Sequence, residues 1–116
     1  MENVIADKSY KFAVRITKLS KYLQQKKKEY TLSAQLLRSG TSIGANVAES
    51  HFAQSTADFI SKLSIALKET GETDYWLRLL KDCDYLSDKE FSSIYTDCCE
   101  IKKILSSIVK TAKENS

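Results

Sequence analysis

The chain has 116 residues, 42% of them hydrophobic and 28% charged, which fits one globular domain spanning residues 1–116 with a core of its own and excludes a disordered tail. It holds no proline and only 3 glycines, so it has almost nothing with which to break a helix, and an all-α fold is the expectation. The net charge of +3 is uneven: residues 1–58 carry +4 and residues 59–116 carry −1. The 3 cysteines (Cys83, Cys98 and Cys99) are an odd number in a chain long enough to form a core, which argues against a secreted disulfide framework and for reduced thiols in a cytoplasmic protein. The first residues lack the basic and apolar regions of an export signal. No window approaches the 18 or so apolar residues of a membrane span.

Four segments have helical periodicity. In the first, about Asp7 to Lys27, Phe12, Ile16, Leu19 and Leu23 recur at spacings that put them on one face. The run Lys26-Lys27-Lys28-Glu29-Tyr30 interrupts this pattern. A second helix, about Leu32 to Phe52, aligns Leu32, Leu36, Ile43 and Val47, with Thr31 and Ser33 as candidate N-caps. A third begins near Ser55, where a hydroxyl cap precedes the acid Asp58, and runs to about Cys83 with Phe59, Leu63, Ala66, Leu67, Thr70, Leu77 and Leu80 inward. The fourth opens on Ser87-Asp-Lys-Glu90, a capping box, and continues through Phe91, Ile94, Tyr95, Cys98, Ile101, Leu105, Ile108 and Ala112. Short polar connections favour antiparallel neighbours, so the expected architecture is an antiparallel up-down-up-down four-helix bundle.

The third helix carries more apolar surface than one core needs. Ile65, Trp76, Leu79 and Cys83 lie on a second arc, displaced from the first by roughly a third of a turn. Either loops cap part of this broad face or a second copy of the chain covers it; the second, to which Tyr10 and Val14 of the first helix add, is the preferred reading and predicts a homo-oligomer. The second helix places Gly40, Gly44 and Ala48 four residues apart; each internal glycine costs about 0.5–1 kcal/mol relative to alanine, and close packing of another helix backbone is the compensating gain. Arg38, Ser42, Asn46 and Glu49 share one polar stripe beside the core face, and Glu72 interrupts the second arc of the third helix. A structural network is expected, with Arg38 pairing to Glu72 or Glu49 and Ser42 and Asn46 meeting the remaining donors and acceptors.

Lys8, Lys11, Arg15 and Lys18 share an arc of the first helix with Tyr22 beside them, a candidate surface for RNA or DNA through phosphate contacts and stacking. The competing reading is a protein partner bound through the second arc of the third helix, with no nucleic-acid role. Shielding of the basic arc by neighbouring acids would favour that reading. Enzymatic chemistry finds little to use: His51 is the single histidine, Cys98-Cys99 is not a metal-ligand spacing, and Glu-x-x-His pairs of the di-iron kind do not occur. Catalytic residues, metal and cofactor are therefore expected to be none.

Gln35-Leu-Leu-Arg-Ser-Gly-Thr-Ser-Ile-Gly-Ala-Asn-Val-Ala-Glu49 resembles the signature of a bacterial four-helix bundle family, first noticed as proteins encoded by intervening sequences of 23S ribosomal RNA genes. Asp58 to Leu80 resembles that family's third helix, and the similarity runs from about Ser9 to Lys113. The resemblance implies a compact bundle assembled into a ring-like homo-oligomer, a pentamer above other counts, with no catalytic residues. The family is similar to the accessory variability protein of diversity-generating retroelements, which binds nucleic acid and a reverse transcriptase through a basic surface. Arg38, Ser42, Asn46, Glu49 and Glu72 match the family's recurrent polar positions, whereas Gly71 and Ser50-His-Phe-Ala-Gln54 depart from its pattern.

Overall fold

The computed structural model describes residues 3–116. Four helices follow one another: α1 (Val4–Lys26), α2 (Thr31–Ser50), α3 (Thr56–Asp82) and α4 (Asp88–Glu114). Each packs on its chain neighbours, and α4 returns to α1, while the diagonal pairs do not meet; the cross-section has four corners. The bundle measures 46 × 23 × 21 Å.

Three helix starts have side-chain caps. The Asn3 carboxamide oxygen accepts from Ala6 N, Ser55 Oγ accepts from Asp58 N, and Ser87 with Glu90 forms a reciprocal capping box at α4. At α2 the expected hydroxyl caps, Thr31 and Ser33, do not serve. The buried Glu29 carboxylate accepts instead from Thr31 N (3.2 Å), Leu32 N (3.1 Å) and Ser33 N (2.7 Å), and Ser33 Oγ donates to Glu29 O (2.8 Å). One acid thus serves the orphan donors of the first turn and brings a negative charge to the positive end of the helix dipole.

The core holds Phe12, Ile16, Leu23, Leu36, Ile43, Val47, Leu63, Leu77, Leu80, Ile94, Ile101 and Leu105, each nearly or fully buried, and removal of such a side chain from water contributes about 1.5–3 kcal/mol. Leu19, Leu32, Phe59, Leu67, Phe91, Tyr95 and Ile108, expected inside, are only half-buried and pack against the edge of the core. Hydroxyls fill much of the line between α2 and α3: Ser39 and Thr73 are buried, with Thr73 Oγ1 donating to Glu69 O at 2.8 Å and free to accept from Ser39 Oγ at 3.0 Å. Among the described residues no buried side-chain nitrogen or oxygen lacks a hydrogen-bond partner. The glycines of α2 let α1 approach closely. A Cβ on Gly40 would lie 2.7 Å from Ile16 Cγ2, and one on Gly44 would lie 3.1 Å from the Ser9 carbonyl oxygen.

Candidate functional site

The polar stripe of α2 meets α3 at Arg38. Its guanidinium, half exposed, pairs with Glu69 (Nη1 to Oε2, 3.1 Å) and with Glu72, and Trp76 Nε1 donates to Glu72 Oε2 at 3.3 Å. Glu69 is the more enclosed acid, its side chain 10% exposed against 34% for Glu72. Asn46 Nδ2 turns back on its own helix, donating to Ser42 O (2.9 Å) and Ser42 Oγ (3.1 Å). Glu49 stands apart from Arg38 and pairs with Lys62 at 3.5 Å. The structure therefore joins Arg38 and Glu72, adds Glu69, and leaves Glu49 to α3's first turns. Glu69 escaped the sequence reading because it lies on the edge of the core line; its signal was a polar residue three positions before Glu72.

Ile65 and Cys83 are exposed on the outer arc of α3, and Trp76 and Leu79 are half-buried beside them. Along α2 the exposed positions are Thr31, Ala34, Gln35, Arg38, Ala45, Ala48 and Glu49. The two charged ones are both held in ion pairs. On α1, Tyr10 is 71% exposed and, with Ala13, Val14, Thr17 and Lys18, lines a shallow apolar groove. The sides of the bundle that adjoin α2 are thus poor in free charge and carry exposed apolar side chains from α1 and α3.

The opposite side, where α1 meets α4, is charged. Lys8 Nζ lies 2.7 Å from Glu100, Arg15 pairs with Asp97 and donates to Ser93 Oγ (2.9 Å), and Lys11 pairs with Asp7 (3.0 Å). The hydrogen bond to Glu100 and its charge raise the Lys8 pKa above the ordinary lysine value. Of the four cations in the candidate nucleic-acid stripe, Lys18 alone has no ion-pair partner among the described residues. Sequence could not show this, because which acids of α4 face α1 depends on how the two helices are paired.

Chemistry has few footholds. Cys98 is buried, its Sγ donating to Thr70 O at 3.7 Å, and burial pushes its thiol up to about 12; Cys83 and Cys99 are exposed. Among the described residues no group of three or more His, Cys, Asp or Glu is placed to hold a metal ion, and no helix is long and apolar enough to cross a membrane. His51 Nε2 is hydrogen-bonded to Asn3 Nδ2 (3.0 Å) at the exposed end of α2.

These features define an all-helical bundle in which ion pairs tie α1 to α4 and α2 to α3. Residues 1–107 match the family of 23S rRNA-intervening sequence proteins, and the chain belongs to that family. It is 55% identical to a protein of unknown function from the S23 ribosomal protein family of Bacteroides thetaiotaomicron, whose crystal structure superposes with a TM-score of 0.91 over 92% of this chain and 99% of that one. No curated protein matches.

Proposed function

We propose that this protein is a non-enzymatic scaffold that acts by self-assembly, as an antiparallel up-down-up-down bundle whose two sides adjoining α2 contact further copies of the chain. One observation carries the reading: α2 spans 20 residues at a corner of the bundle, and its two charged side chains are both committed to ion pairs. A freely solvated helix normally keeps a charged face, whereas the core of a protein interface is depleted of charge and rich in aromatic side chains. Tyr10, Ile65 and Trp76 flank α2 and supply the apolar part.

The stripe of Lys8, Lys11, Arg15 and Lys18 supports nucleic-acid binding less well, since Asp7, Asp97 and Glu100 offset three of the four charges. Such exposed pairs contribute little to stability, but they cancel the field that would attract a phosphate. The test is light scattering at micromolar concentration. Wild type is expected to assemble, and Trp76→Glu to dissociate it, because a charge without a partner at an interface costs several kcal/mol. Ile65→Glu, at a more exposed position, is expected to do the same without risk to the core. A monomeric wild type would overturn self-assembly and leave the outer arc of α3 to a different protein partner.

A further inference from the structure

Of the ten lysines left without an ion-pair partner among the described residues, five belong to the corner formed by the second half of α1 and the turn into α2. Lys18, Lys21, Lys26, Lys27 and Lys28 are all exposed, and none of their ammonium groups has an ion-pair or hydrogen-bond partner among the described residues. At 100° per residue, Lys18, Lys21 and Lys26 fall within roughly 140° of the outer face of α1, together with Tyr22, over about 12 Å of helix.

The corner is pinned. Lys28 takes a left-handed backbone (φ 57), and this turn sends the Glu29 carboxylate inward to cap α2 while Lys27, Lys28 and Tyr30 remain outside. Tyr30 is 59% exposed and Tyr22 37%. Glu90 of α4 lies near this corner: the hydrogen bond from the Ser87 amide lowers its pKa, and the Lys27 charge adds to that. Five lysines therefore face the carboxylates of Glu29 and Glu90, both already hydrogen-bonded to backbone amides, with two aromatic rings interleaved.

We propose that this corner, rather than the stripe running through Lys8 and Arg15, binds single-stranded nucleic acid. Lysine is a point-charge phosphate ligand, and a tyrosine ring offers a stacking platform to any base once the strand is unpaired. Lysine contacts to phosphate and stacking on tyrosine read no base edges, so recognition is by backbone and stacking, without sequence preference. The corner lies at one end of α1 and α2 and shares only Lys18 with the α1 groove assigned to self-assembly.

Fluorescence anisotropy with a labelled 20-nucleotide oligouridylate in 50 mM KCl tests it, with a blunt duplex of equal length as comparison. Binding is expected, with a log–log salt slope of roughly −3 to −4 if all five lysines engage phosphates, equivalent to about a hundredfold loss by 200 mM. Lys26→Glu/Lys27→Glu/Lys28→Glu is expected to abolish binding, Tyr30→Ala to weaken it roughly five- to hundredfold, and Lys8→Gln/Lys11→Gln to leave it within about twofold. Absence of wild-type binding, an unaffected triple lysine variant, or equal affinity for the duplex with no effect of Tyr30→Ala would each overturn the proposal. Light scattering on the same samples separates the two readings, since a monomeric wild type that still binds removes only the assembly.

Discussion

Two glycines of the same residue type sit in helix interiors for opposite reasons. Gly40 lies against Ile16, and any Cβ there would intrude at 2.7 Å, whereas a Cβ on Gly71 would meet nothing within 4 Å. Gly40→Ala is therefore expected to destabilise by about 1–3 kcal/mol through overpacking, and Gly71→Ala to stabilise by about 0.5–1 kcal/mol through reduced freedom of the unfolded chain. Thermal denaturation of the two variants should show shifts of opposite sign; equal signs would mean that the α1–α2 contact is softer than its geometry. The four-residue spacing of Gly40 and Gly44 made close packing legible in the sequence, while the absence of any contact at Gly71 could be seen only in the fold. Arg38 invites a second comparison. A fully buried pair would make its loss cost about 3–5 kcal/mol, but the side chain is 51% exposed, so the relevant penalty is the one left on Glu69. Arg38→Ala is expected to cost about 1–3 kcal/mol, and Arg38→Ala with Glu69→Gln distinctly less than the sum of the two single changes. Additive urea-denaturation energies in that cycle would dissolve the pair.

At the scale of helices, the starts of α3 and α4 were legible because Ser55 and the Ser87–Glu90 box act through neighbours three residues away. The start of α2 was not. Within Lys26-Lys27-Lys28-Glu29-Tyr30, Glu29 reads as one more solvated charge, and only the left-handed turn at Lys28 directs its carboxylate onto three backbone amides. Glu29→Ala is expected to cost about 2 kcal/mol, the upper end for loss of a cap, because the buried Ser33 amide is left without its acceptor. Glu29→Gln keeps one acceptor oxygen and should cost less. Chemical denaturation giving the two variants equal stability would show that the turn, not the carboxylate, holds the corner. The apolar stripes were legible wherever the 3.6-residue period was filled by aliphatic side chains. They blurred on α3, where Thr70 is buried as its place in the stripe implied, but Glu69 and Thr73 are buried too, through hydrogen bonds that no periodicity count reveals.

For the molecule as a whole, the helix count and the surplus apolar arc were readable from spacing, but the pairing of α1 with α4 was not, and that pairing decides which cations remain free. It also fixes how the two charge-poor sides are disposed. The side shared by α1 and α2 and the side shared by α2 and α3 are adjacent in a four-cornered section, so they face directions roughly 90° apart. A contact of one with the other on the next copy is head-to-tail and closes after about four or five copies rather than two. Proposed self-assembly of this kind predicts a particle roughly four to five times the mass of the 13.1 kDa chain. It also predicts complementation. Tyr10→Glu spoils the α1–α2 side and Ile65→Glu the α2–α3 side, so each variant alone should be monomeric while retaining one sound face. Mixed in equal amounts they should form a dimer of one copy of each, because a single head-to-tail contact joins the two sound faces and the spoiled faces stop further growth. An isologous contact would behave differently: at least one variant would dimerise alone, and mixing would add nothing. Light scattering of the two variants, separately and mixed, therefore distinguishes a ring built on α2 from a two-fold pair.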